Sequence, residues 1–168
     1  MMSEDGAAFG LTVAYLRCAL DVGVIDVAAV IQWADATLAT LQHPPSPYAL
    51  IELALMSRSS REEVMWQLLQ VATPAMVEDE MLPYVLSVAH SRLLGDPTFG
   101  RRLAEGIYRL WARSGYDLPG TLQACGYFDD AYSLADSGVH GHAEVIDREL
   151  FEFTQHFAGL DWQTLKAP

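Results

Sequence analysis

Residues 31–55 read "IQWADATLATLQHPPSPYALIELAL" and contain the pattern that decides the fold. Apolar residues recur at helical spacing in the first part, which predicts an α-helix with Asp26 as its N-cap. Prolines at positions 44, 45 and 47 then end this helix, because proline has no N–H group and disfavours the α region for the residue before it. A second apolar run with helical spacing follows at once, so the stretch predicts two helices joined by a short, stiff link.

The link between these two helices has a specific expected geometry. Residues 43–46 are expected to be extended, because a proline follows three of the four. Ser46 is the expected N-cap, with a hydroxyl that accepts a backbone N–H, and Pro47 is expected at the first helical position. We interpret the link as structural punctuation that sets the angle between two neighbouring helices.

Helical spacing continues on both sides of this stretch and covers most of the chain. Ser60 and Glu63 form a capping-box pattern at the start of another helix, and Asp96 followed by Pro97 is a typical start of one more. No segment shows the strict alternation of a β-strand. We therefore predict an all-α fold, with one domain over residues 1–168 and about seven helices, arranged as an orthogonal bundle or as an array of helical hairpins.

The composition favours a folded, acidic protein. Apolar residues make up 51% of the 168 positions, which argues against disorder, and the chain is long enough to bury a core. Its net charge is −12, from 22 acidic and 10 basic residues, so nucleic acid and anionic membranes should be repelled. Neither is an expected partner, and a basic protein fits better.

The cysteines and the N-terminal segment predict a cytoplasmic location. Cys18 and Cys125 are the only cysteines, and in a chain with an adequate core they are typical of reduced thiols. The N-terminus begins with acidic rather than basic residues, which is unlike a signal peptide. No stretch approaches 18 uncharged apolar residues, so no membrane span is expected.

Motifs of known catalytic chemistry are absent from the sequence. It has no phosphate-binding glycine loop, no G-x-S-x-G pattern and no H-E-x-x-H pattern. His90 falls among apolar helical neighbours and is expected to be partly buried and hydrogen-bonded. Cys125 has no neighbouring cation to lower its pKa. We predict no catalytic residue and no cofactor, and hence a protein that is not an enzyme.

A local group of histidines and acids is the nearest approach to a metal site. It consists of His140, His142, Glu144 and Asp147. Zinc sites usually take ligands from more than one segment, whereas these four lie within eight positions. A polar loop that leads into a helix explains them more simply, and no metal is predicted.

Acidic residues gather in two segments that are the predicted partner-binding residues. Glu78, Asp79 and Glu80 begin one helix, where the helix dipole accounts for one or two of the charges better than for three. The second set is on a later short helix: Asp129, Asp130 and Asp136. Residues 129–168 as a whole hold eight acids against Arg148 and Lys166, so negative charge is concentrated there.

Four arginines on the sixth predicted helix break a local rule. Arg101 and Arg102 fall in its first turn, where the helix dipole disfavours cations, and Arg109 and Arg113 continue a similar face. Such an exception points either to tertiary ion pairs or to function. The favoured interpretation is that the arginines neutralise acidic segments within the fold. The alternative is a binding site for a small anionic ligand.

The opening stretch also resembles a family. A Trp-Ala pair, two prolines and an L-I-E-L helix are similar to small bacterial all-helical proteins of the toxin-immunity type. The residues that match are Trp33, Ala34, Pro44, Pro45, Leu50, Ile51, Glu52 and Leu53. The resemblance implies a protein that binds and neutralises a cognate bacterial toxin, with the acidic surface speeding encounter with a basic toxin domain. The match covers about one seventh of the chain.

Two other classes of function remain as alternatives. One is a helical enzyme or ligand-binding protein that uses the arginine face. The other is a structural or adaptor subunit with an exposed apolar patch, so the chain is expected to be a monomer or a homodimer. Four aromatic residues are candidate anchors for a partner, although each is also a candidate for the core: Trp66, Trp111, Tyr127 and Tyr132.

Overall fold

The computed structural model describes residues 4–166, and over this range the protein is all-α. The described residues form eight α-helices and two 3₁₀ helices, with no strand, so the predicted class and the number of helices are confirmed. The α-helices are α1 (Glu4–Val22), α2 (Val27–Thr40), α3 (Pro47–Ala54), α4 (Arg61–Val71), α5 (Glu78–Gly95), α6 (Phe99–Arg113), α7 (Phe128–Asp136) and α8 (Ala143–Gln155). The 3₁₀ helices are Gly120–Gly126 and Trp162–Lys166.

The helices fall into two compact units. Unit 1 runs up to Asp21, over Ile25–Met81 and from Trp162 onward. Unit 2 comprises Val22–Val24 and Leu82–Asp161. One domain over residues 1–168 stays a prediction, and positions 1–3 and 167–168 of that range lie outside the described residues.

The opening stretch forms the core of unit 1. Asp26 caps α2 as predicted, since its Oδ1 accepts the N–H of Ala29 at 2.9 Å. Ala34 of α2 and Leu50 and Leu53 of α3 are completely buried in one apolar cluster with side chains of α1 and α4. Of the eight residues on which the predicted resemblance rests, four pack in or against this cluster: Trp33, Ala34, Leu50 and Leu53. Ile51 and Glu52 are exposed.

The link between α2 and α3 differs from the prediction at one residue. Pro47 is the first residue of α3, as expected, but Ser46 has φ 48° and ψ 57°, in the left-handed region rather than the extended one. Its side chain makes no capping hydrogen bond. The clash with the proline ring disfavours the right-handed α region at Ser46. Ser46 avoids that region by adopting the left-handed conformation instead of the extended one. The Ser46 carbonyl still accepts the Leu50 N–H at 3.1 Å.

The predicted capping box of α4 is present. The Ser60 N–H donates to Glu63 Oε2 at 2.7 Å, and the Glu63 N–H donates to Ser60 Oγ at 3.3 Å. Val64 and Leu68 of α4 then reach the core of unit 1. Ser60 and Glu63 were therefore sufficient to predict where α4 begins.

Helix α6 lies at the centre of unit 2. It packs against the 3₁₀ helix Gly120–Gly126 and against α7 and α8. Its inner face is buried: Phe99, Gly100, Leu103, Ala104, Gly106, Ile107 and Leu110. The apolar residues of this face recur at helical spacing, and the helix packs against the elements that form the candidate site.

A close backbone approach fixes α6 against residues 22–24. A Cβ atom at Gly106 would lie 1.9 Å from the Val22 carbonyl oxygen, so only glycine fits. Arg92 of α5 holds the same segment, because its guanidinium donates to the Val24 carbonyl at 2.7 Å and lies 4.1 Å from the centre of the Phe99 ring. The chain segment at 22–24 is therefore bound on both sides within unit 2.

Two further expectations concern the cysteines and a membrane. Cys18 and Cys125 are both buried thiols and form no disulfide. Within residues 4–166, none of the helices has the length and apolar content needed to cross a membrane.

Replacement of Gly106 tests the close approach. We expect Gly106→Ala to lower the free energy of unfolding by about 2–3 kcal/mol or more, because the new methyl group overlaps the Val22 backbone. Urea unfolding followed by circular dichroism measures the loss. Gly95→Ala is the matched control, since a Cβ there meets nothing within 4 Å, and it should leave stability unchanged or slightly raised. Equal stability of both variants would contradict the packing of α6.

Candidate functional site

A surface pocket in unit 2 lies between α7 and α8. Its volume is about 370 Å³. Part of its wall is apolar, from Ala131, Leu134, Val145 and Ile146. The polar part comes from Tyr127, Asp130, His140, His142 and Glu149, with the backbone of two glycines.

The turn between α7 and α8 forms one edge of this pocket. Gly138 has φ 68° and Gly141 has φ 78°, both in the left-handed region that glycine adopts without strain. The Leu134 carbonyl accepts two N–H groups after the helix end, those of Val139 at 3.0 Å and His140 at 3.3 Å. The chain therefore reverses tightly, and two histidines are placed at the pocket.

Two polar side chains of the pocket, Tyr127 and Glu149, are joined by a hydrogen bond. Tyr127 Oη donates to Glu149 Oε2 at 3.0 Å. This hydrogen bond is the main cause that raises the pKa of Tyr127, so the phenol stays protonated and acts as a donor. Asp130 is exposed, and neither lysine nor arginine is among the lining residues. The pocket therefore presents two carboxylates beside apolar walls.

The first predicted set of partner-binding acids is mostly accounted for within unit 1. Glu78 is half-buried, and its Oε1 lies 3.8 Å from the Arg17 guanidinium. Asp79 Oδ1 accepts the Glu80 N–H at 3.1 Å in the first turn of α5. The contact of Asp79 is the local one expected of an acid at a helix N-terminus, whereas the ion pair of Glu78 joins α5 to α1. Of the three, Glu80 is the one classed as exposed.

The second predicted set of partner-binding acids lies on α7 in unit 2, and its three residues have different environments. Asp129 is half-buried, and burial first, then the charges of Glu105 and Asp130, raise its pKa. Asp136 pairs with Arg101. Asp130 is the one that lines the pocket. The two predicted sets thus belong to separate units, and one of the six residues reaches the pocket.

The arginines of α6 have acidic or aromatic neighbours. Both terminal nitrogens of Arg101 hydrogen-bond the Asp136 carboxylate, one of them at 2.7 Å, and the guanidinium lies 4.8 Å from the Tyr132 ring centre. Arg102 Nη2 is 3.6 Å from Asp96 Oδ2. These pairs support neutralisation within the fold as the role of the two first-turn arginines.

The other two arginines of this face lie further along α6. Arg109 is half-buried and its charge acts on Asp129, while Arg113 is exposed in the last turn. A site for a small anion formed by all four arginines stays a prediction. The Asp136 carboxylate already binds the two terminal nitrogens of Arg101 to which a bidentate anion would bind.

The remaining candidate groups are buried in unit 2. His90 is 7% exposed, its Nδ1 is 3.0 Å from Thr154 Oγ1, and its ring packs on Phe151. Burial raises the pKa of Cys125 to about 12, so it is a thiol at neutral pH. No group of three or more His, Cys, Asp or Glu residues within 4–166 is placed to hold a metal ion.

The aromatic candidates divide by exposure. Tyr127 and Trp66 are 51% and 61% exposed, whereas Trp111 is half-buried. Tyr132 is buried and donates to Asp147 Oδ1 at 2.5 Å. Tyr127 is therefore the aromatic candidate that lines the pocket.

Sequence reasoning missed two apolar residues of the site. Leu134 was not singled out, and it is 43% exposed in the pocket wall. Val145 has the spacing of a core residue of α8, but it is 38% exposed and lines the same pocket. An apolar side chain beside a predicted acidic cluster is a weak signal that could have indicated both.

Comparison of the chain with protein-family models, with curated protein sequences and with solved structures found no match.

The ion pair between Arg101 and Asp136 makes a pH-dependent contribution. The hydrogen bond from Arg101 lowers the pKa of Asp136, so the carboxylate stabilises the folded state above its unfolded pKa of about 3.9, and this stability is lost as pH falls through the lower folded value. Asp136→Asn should therefore lower the melting temperature at pH 7, with a difference from wild type that shrinks below about pH 4.

Thermal unfolding followed by circular dichroism at pH 7 and below pH 4 measures this effect. Glu152→Gln removes one negative charge from an exposed position of α8 and serves as control for net charge. A deficit of Asp136→Asn that is the same at both pH values would show that asparagine disturbs the helix end rather than the ion pair.

Proposed function

We propose that this chain is an acidic protein-binding module, an immunity protein that binds and neutralises a cognate basic bacterial toxin inside the producing cell. Three observations support the proposal. The net charge is −12, the pocket between α7 and α8 combines carboxylates with apolar walls, and residues 33–53 resemble immunity proteins of this type.

The carboxylates of α7 and α8 are the observation that carries the proposal. Asp130 of α7 lines the pocket, and α8 adds Glu144 and Glu149 in its first two turns. A surface with one sign of charge accelerates the association of an oppositely charged partner and disfavours wrong ones. The apolar wall beside these charges supplies area that releases water when a partner covers it.

Neutralisation follows from this chemistry if the toxin cleaves nucleic acid. Such an enzyme needs a basic cleft for the phosphate groups of its substrate. A protein surface that carries carboxylates competes with the nucleic acid for that cleft and covers it. The module then needs no catalytic group of its own, because binding alone prevents substrate from entering.

The acids of α5 have a smaller part in this proposal. Glu78 is half-buried beside Arg17, and Asp79 holds the Glu80 N–H. Contacts within unit 1 therefore explain the positions of Glu78 and Asp79. The proposed partner surface therefore centres on Asp130 and α8 rather than on all six predicted acids.

An exposed face of unit 1 favours a second candidate function, that of an adaptor or self-associating subunit. Tyr48 of α3 and Leu55, the residue after this helix, are 82% and 78% exposed, and Trp66 of α4 is exposed as well. Large exposed apolar residues of this kind mark interaction surfaces. A net charge of −12 opposes close approach of two copies, so we rank this candidate second.

A pull-down with matched charge variants tests the first candidate. The full chain is immobilised and exposed to lysate and secretions of the source cell at low and moderate salt. Wild type should retain one basic protein, and retention should weaken with salt because the attraction is electrostatic. Changing Asp130→Asn, Glu144→Gln and Glu149→Gln together should weaken it about tenfold or more.

The control variant removes the same amount of charge elsewhere. Asp35→Asn, Asp79→Asn and Glu80→Gln change three acids of unit 1 and should leave retention close to wild type. Equal losses in both variants would show that only net charge matters. The absence of a basic partner at either salt concentration would contradict the proposed function.

A further inference from the structure

The pocket between α7 and α8 is large enough to admit one side chain of another protein. Its volume of about 370 Å³ is near the lower end of the range for ligand pockets, about 300–1,000 Å³. Most of its lining residues are exposed, so it opens on the surface of unit 2. A group that projects from another protein can therefore enter it.

We propose that this pocket receives the side chain of an arginine from the basic partner, with the guanidinium between Asp130 and Glu149 and the aliphatic stem against Leu134 and Val145. The identity of the partner rests on the function proposed above. The binding of an arginine side chain itself depends only on the lining of the pocket.

The lining selects a cation. Asp130 and Glu149 carry negative charge, and no lysine or arginine lines the pocket. Burial first, and then the charges of Glu105 and Asp130, raise the pKa of Asp129, so negative charge is concentrated at this point of α7. A bound cation relieves the repulsion between these charges, whereas a bound anion increases it.

The arrangement of Tyr127 and Glu149 favours arginine over lysine. The Tyr127 hydroxyl donates to Oε2 of Glu149 and so orients the carboxylate, while Oε1 and the second lone pair of Oε2 stay available to other donors. A planar guanidinium can donate two parallel hydrogen bonds to a carboxylate and can stack on an aromatic ring. Lysine offers a compact charge without this geometry.

The apolar wall favours a long side chain over a small cation. Leu134 and Val145 are partly exposed, and Ile146 is buried behind them. The three methylene groups of arginine can cover these residues while the charge stays near the carboxylates and solvent. A bare metal ion would leave this wall exposed.

Capped peptides provide a probe that does not require the partner. The full chain, labelled with ¹⁵N, is titrated at low salt with acetyl-Gly-Arg-Gly-amide. The titration is repeated with a peptide in which citrulline replaces arginine and with one in which lysine replaces it; citrulline has the shape of arginine without its charge. We expect the arginine peptide to shift the amide signals of residues 127–149 with a Kd of about 1 mM, and the citrulline and lysine peptides to bind about tenfold and threefold more weakly.

Two variants on one helix separate the pocket from general charge. Glu149→Gln should weaken the arginine peptide about three- to tenfold, because it removes the oriented carboxylate. Glu152→Gln removes the same charge three positions along α8 and outside this pocket, and it should leave the affinity unchanged. Circular dichroism confirms that both variants keep their helices.

Several results would overturn the inference. Equal binding of the citrulline peptide would show an apolar pocket without cation selection, and equal binding of the lysine peptide would remove the assignment to arginine. Equal losses in both variants, or shifts spread over the acids of the whole chain, would show non-specific attraction. If the arginine peptide binds as expected but no basic protein is retained in the pull-down, the proposed function fails and the site stands.

Discussion

The backbone of α6 approaches Val22 so closely that a Cβ atom at position 106 would lie 1.9 Å from a carbonyl oxygen. Unit 2 depends on this constraint. Gly106 lets α6 lie against residues 22–24, and the same helix packs against the 3₁₀ helix Gly120–Gly126, α7 and α8. The pocket lies between two of these elements, so its geometry depends on a helix that contributes none of its lining residues.

Charge pairing explains how an acidic chain keeps α7 beside α6. Arg101 and Asp136 form a bidentate pair between the two helices, and Arg101 also lies over Tyr132. The ion pair neutralises the charge of Arg101 within the fold. Asp130 and Glu149, in contrast, line an open pocket without a lysine or arginine in its walls. The carboxylates that lack such compensation are the natural place to look for a cationic partner.

Most of the helices could be predicted from the sequence, because the residues that mark the start of a helix lie close to it in the chain. Asp26 and the pair Ser60–Glu63 cap helices as expected, since each cap needs only residues within one turn. Ser46 shows the limit of such a rule: a following proline excludes one backbone region but does not choose between the two that remain.

The site was less predictable, because it depends on how two helices face each other. The acids of α7 and the two histidines were visible in the sequence, but Glu149 and Tyr127 are 22 positions apart and meet only in the fold. Val145 has the spacing of a core residue and Leu134 no distinguishing mark, yet both line the pocket. Helical periodicity identifies an apolar face, whereas the angle between helices decides which part of that face is covered.

Hydrogen exchange of the full chain, alone and with the basic protein retained by it, tests the central proposal most directly. Binding at the proposed surface predicts new protection concentrated in residues 127–149. Protection centred instead on the exposed face of α3 and on Trp66, with residues 127–149 unchanged, would contradict it and would favour the second candidate function.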